Sequence, residues 1–178
     1  LFLDKLHHIK GIILDIDGVL TDATVLVTET GEQLRRFNVR DGYAMQLAVK
    51  RGFKVCSISG GKSKSVVLRL NSLGITDIHL GIDKKLDVFN SFLEQHALNA
   101  GEVLYIGDDI PDVPVMKIAG AAACPADAAE EVKAVSMYIS PKVGGAGCVR
   151  DILEKLLKVQ RKWFDAEPSA HDDSIPSA

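Results

Sequence analysis

The 178-residue chain lacks several things that would mark a membrane-spanning, secreted or nucleic-acid-binding protein. No apolar run approaches the ~18 residues of a membrane-spanning helix. The opening "LFLDKLHHIKG" is too short and too charged for a secretory signal, so a cytoplasmic location is expected. Cysteine is scarce: Cys56, Cys124 and Cys148 stand far apart and form no C-x-x-C pair. Neither a disulfide framework nor a zinc framework is therefore indicated, and Cys56, inside "KVCSIS", reads as a small buried hydrophobe. There is no basic block, and the net charge is −3. Nucleic acid and anionic membrane are accordingly not expected as partners. Internal repeats and low-complexity stretches are also missing. "GGKS" at 60–63 lacks the leading glycine of a phosphate-binding P-loop, because position 56 is Cys56.

What is present is a core: 47% of the residues are hydrophobic, enough for one domain over 1–162. Apolar runs alternate with helix-period segments. "IKGIILDI", "FKVCSIS", "DIHL", "EVLYIGD", "AGAAACPA" and "MYIS" read as strands. "GYAMQLAVKRG", "KSKSVVLRLNSLG", "KLDVFNSFLEQHAL", "PDVPVMKIAG" and "GCVRDILEKLLKVQRKWF" read as helices. In the third of these, Leu86, Phe89, Leu93 and Leu98 form the expected buried stripe. Such alternation predicts an α/β fold with a doubly wound parallel sheet. One segment breaks the alternation. Residues 23–39 read as a β-hairpin turning at "ETGE", where Gly31 supplies the positive φ. Its Val25, Val27, Leu34 and Phe37 are too apolar for a ribbon washed by solvent. The polar stretch 163–178, rich in Ser and Pro, reads as a flexible tail.

Chemistry gathers at the strand ends, where open parallel sheets bind ligands. "IILDIDGVLTD" carries Asp15 and Asp17 off the first strand, and "YIGDDIPD" carries Asp108, Asp109 and Asp112 off a later one. Clustered carboxylates repel one another unless a cation sits among them, and an oxygen-only set suits Mg²⁺. A carboxylate can also attack phosphorus, provided that positive charge lets two anions approach. Lys84 and Lys85 offer that charge. Ser59, with the backbone N–H groups of "SISGG", offers hydrogen bonds to phosphate oxygens.

Acid, hydroxyl, lysine and acid thus follow one another at successive strand ends. "DIDGVLTD", "SISGG", "DKKL" and "GDDIPD" together resemble the haloacid dehalogenase superfamily of phosphotransferases, over residues 9–160. The resemblance implies Asp15 as nucleophile and Asp17 as general acid and base. It implies a Mg²⁺ held by the Asp15 carboxylate, the Asp17 backbone carbonyl and the Asp108 carboxylate. Ser59, Gly60 and Lys85 would hold the phosphate, and Asp112 would orient Lys85 or a metal-bound water.

The hairpin, "NVRDG", "LGI" and "GGAGCVRDILE" narrow the resemblance to the small subfamily of octulosonate 8-phosphate phosphatases, which lack a cap domain. The 44 positions from Asp15 to Ser59 and the 26 from Ser59 to Lys85 leave no room for a cap. The resemblance implies a homotetramer joined through the hairpins, with a neighbouring subunit closing the site. It also implies a phosphorylated 2-keto-3-deoxy sugar acid as substrate, in lipopolysaccharide precursor synthesis. The eight-carbon acid is expected ahead of the nine-carbon one. Asn38, Val39, Arg40, Asp41, Gly42 and Arg69 match the subfamily and are the implied contacts to the sugar acid. Gln46 and Gly61 stand where the subfamily often carries arginine.

Two other readings fit less well. A receiver-type signalling module needs an acceptor aspartate on a later strand, where "SISGG" has none. A noncatalytic regulatory relative would not need the full set of acid, serine and lysine.

Overall fold

Ile12, Ile13 and Leu14 are fully buried, with neighbours on both faces of the sheet. That double burial is why the first strand reads as a continuous apolar run rather than an alternating one. In the computed structural model, which describes residues 1–164, this strand, β1 (Gly11–Asp15), lies at the centre. A short helix, α1 (Phe2–Leu6), precedes it, and β2 (Leu26–Val27) and β3 (Gln33–Leu34) follow as a separate antiparallel ribbon. Then come α2 (Val39–Lys50), β4 (Lys54–Ser59), α3 (Lys64–Ser72), β5 (Asp77–Leu80) and α4 (Lys85–His96). The chain continues through β6 (Val103–Ile106), α5 (Val113–Met116), β7 (Ala121–Cys124), α6 (Glu130–Val135), β8 (Tyr138–Ile139) and α7 (Cys148–Val159).

The main sheet has six strands in the order β5-β4-β1-β6-β7-β8, every neighbouring pair parallel. The order reverses between β1 and β6, so the crossovers diverge there and leave a crevice at the strand ends. Asp15 closes β1 at that crevice, and Asp108 follows β6 beside it. Two cores flank the sheet. One gathers Leu14, Met45, Leu70 and the buried face of α7, and the other gathers Ile58, Phe89, Phe92 and Tyr105. The expected doubly wound sheet without a cap is what the chain forms.

Some elements differ from the sequence reading. Helix α2 begins at Val39 rather than Gly42, because the Asn38 side chain accepts hydrogen bonds from the N–H groups of Arg40 and Asp41 and caps it. On α4, Leu86 is exposed, and Phe92 takes the place it was given in the buried stripe. Helices α1 and α6 were not read from the sequence at all. Both are short, and tertiary contacts support them more than any local signal. The ribbon is shorter than expected. Val25, Leu26, Val27 and Leu34 are exposed, whereas Phe37 packs on the first core. Trp163 also packs there, against Arg150, whose guanidinium lies 4.3 Å from the ring centre. Phe164 is exposed, and residues 165–178 of the expected tail lie outside the described residues.

Candidate active site

Four strand ends supply the cleft. Asp15 and Asp17 come from the end of β1, Ser59, Gly60 and Gly61 from β4, Lys85 from the start of α4 after β5, and Asp108 and Asp109 from β6. Together with Ala23, Ile82, Asp83 and Pro111 they line a cavity of roughly 500 Å³.

Lys85 is the electrostatic hub. Its Nζ lies 2.8 Å from Asp15 Oδ1 and 2.6 Å from Asp112 Oδ1. Burial works against its charge, but Asp15 and Asp112 outweigh that and hold the ammonium above its ordinary pKa. Lys84, at the N-cap position of the helix, is exposed and makes no capping hydrogen bond from its side chain, whereas Lys85 is buried in the cleft.

Asp112 has no exposed surface, and both of its oxygens are committed. Oδ1 accepts from Lys85 and from the Tyr105 hydroxyl at 2.5 Å; Oδ2 accepts from the N–H groups of Asp108 and Asp109 at 3.1 and 3.2 Å. Asp112 therefore fixes both the lysine and the loop that carries Asp108. Gly107 is required beside it: an added Cβ would sit 2.5 Å from the Asp112 side chain. The Tyr105 contribution could not be read from the sequence, because it opens "YIGDDIPD" from inside the strand, where it reads as one more core residue.

The carboxylates of Asp15, Asp108 and Asp112 offer ligand atoms all within 4.8 Å of one another. Asp112 is already satisfied, which leaves Asp15 and Asp108. Asp108 Oδ1 is buried and has no hydrogen-bond partner among the described residues. Burial pushes both carboxyls up, Asp15 to about 6 and Asp108 to about 8, with the neighbouring acids adding to it. A divalent cation relieves both conditions. The donors are all oxygen, so the set fits Mg²⁺. Gly18, at φ +98°, lets the loop after β1 pass this close: a Cβ there would meet Asp108 Oδ2 at 1.8 Å.

Asp17 is held differently. Arg35, from the strand end after β3, donates from Nε to Asp17 Oδ1 at 2.5 Å and from Nη2 to Oδ2 at 3.2 Å. Its side chain is only 4% exposed, although the ribbon that carries it is open to solvent. The Ser59 hydroxyl approaches Asp17 Oδ2 at 3.4 Å and accepts from Gly61 N–H at 3.0 Å. A side chain at 61 would crowd this pair, since its Cβ would stand 3.1 Å from both Arg35 Nη2 and Asp17 Oδ2. The missing arginine at 61 and the buried Arg35 thus share one space. Nothing in the sequence marked Arg35; the folding back of the ribbon puts it there.

The residues expected at the sugar acid sit elsewhere in the single chain. Asn38, Val39 and Arg40 line a separate groove with Lys142, Gly147 and Arg150. Asp41 is buried and accepts from the N–H groups of Gly147 and Arg150 at 3.2 and 2.6 Å, capping α7. Arg69 lies against Gly42, where an added Cβ would be 2.5 Å from Nη2. Gln46, on α2, is half-buried.

No protein-family model matches the chain. Curated relatives do. The 3-deoxy-D-manno-octulosonate 8-phosphate phosphatase KdsC of Escherichia coli K12 is 39% identical over 163 residues, covering 92% of this chain and 87% of the relative. The crystal structure of the corresponding phosphatase from Moraxella catarrhalis, in complex with magnesium ion, phosphate ion and KDO, aligns with TM-score 0.89 at 33% identity. That alignment covers 91% of this chain and 93% of the other. A cobalt-bound enzyme of the same name from Haemophilus influenzae aligns with TM-score 0.86 at 33% identity, over 89% and 93% of the two chains. Across nearly its whole length, in sequence and in fold, the chain belongs to the 3-deoxy-D-manno-octulosonate 8-phosphate phosphatase family of the haloacid dehalogenase superfamily.

Proposed function

We propose that the chain is a Mg²⁺-dependent phosphatase that releases phosphate from 3-deoxy-D-manno-octulosonate 8-phosphate, in lipopolysaccharide precursor synthesis, through an aspartyl-phosphate on Asp15. The observation that carries the mechanism is the placement of Lys85 between Asp15 and Asp112 beside the unpartnered, buried Asp108 Oδ1. The Asp15 and Asp108 carboxylates and the Asp17 backbone carbonyl would hold Mg²⁺. When bound, the ion neutralises charge on the phosphoryl oxygens and on the attacking carboxylate.

The remaining chemistry belongs to the chain's own groups. Lys85 and the Ser59 hydroxyl hold phosphate oxygens, with the Gly60 backbone beside them. Asp15 attacks phosphorus, and the bond from phosphorus to the sugar oxygen breaks. Asp17 gives its proton to the leaving alkoxide. It then takes a proton from the water that attacks the aspartyl-phosphate, which frees Asp15 and inorganic phosphate. Arg35 donates once to each Asp17 oxygen and orients the carboxyl, and each oxygen keeps a further lone pair for the proton. Asp112 acts through Lys85 and is a positioning residue.

Two further readings support the assembly around this site. The ribbon exposes Leu26 at 67% and Val27 at 62%, an apolar surface suited to burial against other ribbons in a homotetramer. A neighbouring subunit would then bring Arg40 or Arg69 to the sugar acid carboxylate, by the bidentate geometry that arginine favours. The location read is cytoplasmic; no helix among the described residues is long and apolar enough to cross a membrane.

The test is to trap the intermediate. Asp17→Asn, mixed with substrate and Mg²⁺ and quenched in acid, accumulates one phosphoryl group, and mass spectrometry finds it on the peptide carrying Asp15. A phosphoryl group on another residue, or no phosphoryl-enzyme from a variant that still turns over, would remove the mechanism.

A further inference from the structure

Away from the phosphatase centre, strands β4 and β5 pair with Cys56 opposite Asp77. Paired residues share a face of the sheet, and His79, two residues further along, shares it too. Helix α4 covers that face. Its Phe89 and Phe92 pack in one cluster with Cys56, and His96, at the helix end, sits edge-on to Phe92 with ring centres 4.7 Å apart. A thiol, a carboxylate and two imidazoles meet as a result. His79 Nε2 is 2.7 Å from Asp77 Oδ1, and His96 Nε2 is 3.7 Å from Asp77 Oδ2. Cys56, Asp77 and His79 each offer a ligand atom within 4.8 Å of the other two. Asp77 Oδ2 is buried without a hydrogen-bond partner among the described residues. An unsatisfied buried acceptor of this kind is costly, more so when charged, and a cation removes that cost.

We propose that Cys56, Asp77 and His79 form a second metal site, distinct from the oxygen-lined centre, for a divalent transition ion of the zinc class, with His96 beside Asp77 as the group that completes it. The donor set decides the ion. One sulfur and two imidazole nitrogens suit Zn²⁺ and its neighbours, whereas Mg²⁺ prefers oxygen. With His96 turned in as the fourth donor, the tetrahedron would close and leave no open position, which makes the site structural. Zinc bonds of ~2.0–2.3 Å place ligand atoms roughly 3.3–3.8 Å apart in a tetrahedron. Cys56, Asp77 and His79 already lie within 4.8 Å of one another, His79 would exchange its contact to Asp77 for the metal, and His96 would turn toward the ion from beside Asp77.

Burial, and then Asp77, push the Cys56 thiol well up, so without a cation the sulfur keeps its proton. Metal binding would release that proton to solvent and leave the thiolate on the ion. His79, 37% exposed, marks the way in. The ion would fasten β4, β5 and α4 together, and these are the elements that end in Ser59 and begin with Lys85. It would hold the two phosphate-binding groups in register without touching substrate.

Cobalt(II) tests this on the full, reduced chain, with excess Mg²⁺ present to fill the oxygen-lined centre. That centre contains no sulfur, so a thiolate-to-cobalt charge-transfer band in the near ultraviolet reports only on a cysteine. The expected result is one equivalent of cobalt giving this band together with tetrahedral visible bands, both displaced by one equivalent of Zn²⁺. Cys56→Ser loses the charge-transfer band. Asp77→Asn and His79→Ala, which keep the buried sulfur and the core, each weaken cobalt binding ~10–100-fold. Asp15→Asn leaves the band unchanged. The inference is overturned if no band appears in excess cobalt, if the band survives Cys56→Ser through Cys124 or Cys148, or if neither Asp77→Asn nor His79→Ala changes the affinity.

Discussion

At the scale of single residues, each acid has a distinct role set by what surrounds it. Asp15 is buried and clamped by Lys85, so Asp15→Asn abolishes turnover while a thermal melt shows the fold retained; a folded variant with near wild-type phosphate release contradicts the nucleophile. Asp17→Asn slows steady-state turnover ~10²–10⁴-fold, the usual value of general acid–base help. Arg35 holds Asp17 in a two-point contact and puts a cation at the mouth of the cleft. Arg35→Ala therefore lowers kcat/KM by about 10-fold or more, since a charge-assisted hydrogen bond is worth ~1.5–3 kcal/mol. Unchanged kinetics would show that the contact is idle in the working enzyme. The acids at the ends of β1 and β6 were legible in the sequence because each follows an apolar run, and fold class alone sends such residues to one crevice. Arg35 was not legible, because it sits on a ribbon whose path depends on tertiary contacts.

At the scale of elements, a cap and a ribbon carry the argument. Asp41 looked like a substrate contact by its place in "NVRDG", yet its carboxylate serves the first turn of α7. Helix α7 buries Ile152, Leu153, Leu156 and Leu157 completely, so loss of its cap is felt by the core. Asp41→Ala destabilises the fold by ~0.5–2 kcal/mol, measured by urea unfolding, as loss of an N-cap normally does. The ribbon is the converse case: its surface matters more than its own stability. In the proposed homotetramer, Leu26→Glu with Val27→Glu gives smaller species in sedimentation while leaving the far-ultraviolet spectrum intact. A stable, active monomer of the unchanged protein at micromolar concentration would sink the tetramer. The strand and helix alternation was readable from periodicity, but register was not. Cys56, Asp77, His79 and His96 show no motif along the chain, and only the pairing of β4 with β5 under α4 assembles them.

At the scale of the whole molecule, the clustered acids make stability depend on pH and metal together. Asp15 and Asp108 have folded pKa values raised above the ordinary carboxylate value of 3.8. The folded state then binds protons more tightly than the unfolded one. Without metal, the stability these groups contribute is lost as pH rises through about 6 and about 8. The metal-free melting temperature accordingly falls between those two pH values, the Mg²⁺-loaded protein falls less, and Asp108→Asn flattens the difference. Calorimetry in the two conditions checks the sign. In the proposed assembly, the open, uncapped cleft would leave selection of the sugar to the ribbon, to a neighbouring subunit and to a few cationic contacts, a set that Gln46 and Gly61 would alter. The decisive measurement is phosphate release with Mg²⁺ across a panel of esters. The panel holds octulosonate 8-phosphate, the nine-carbon nonulosonate 9-phosphate, hexose phosphates, nucleotides and phosphoserine. The predicted outcome is the highest kcat/KM for octulosonate 8-phosphate; hexose phosphates or phosphoserine ahead of both sugar acids would contradict it.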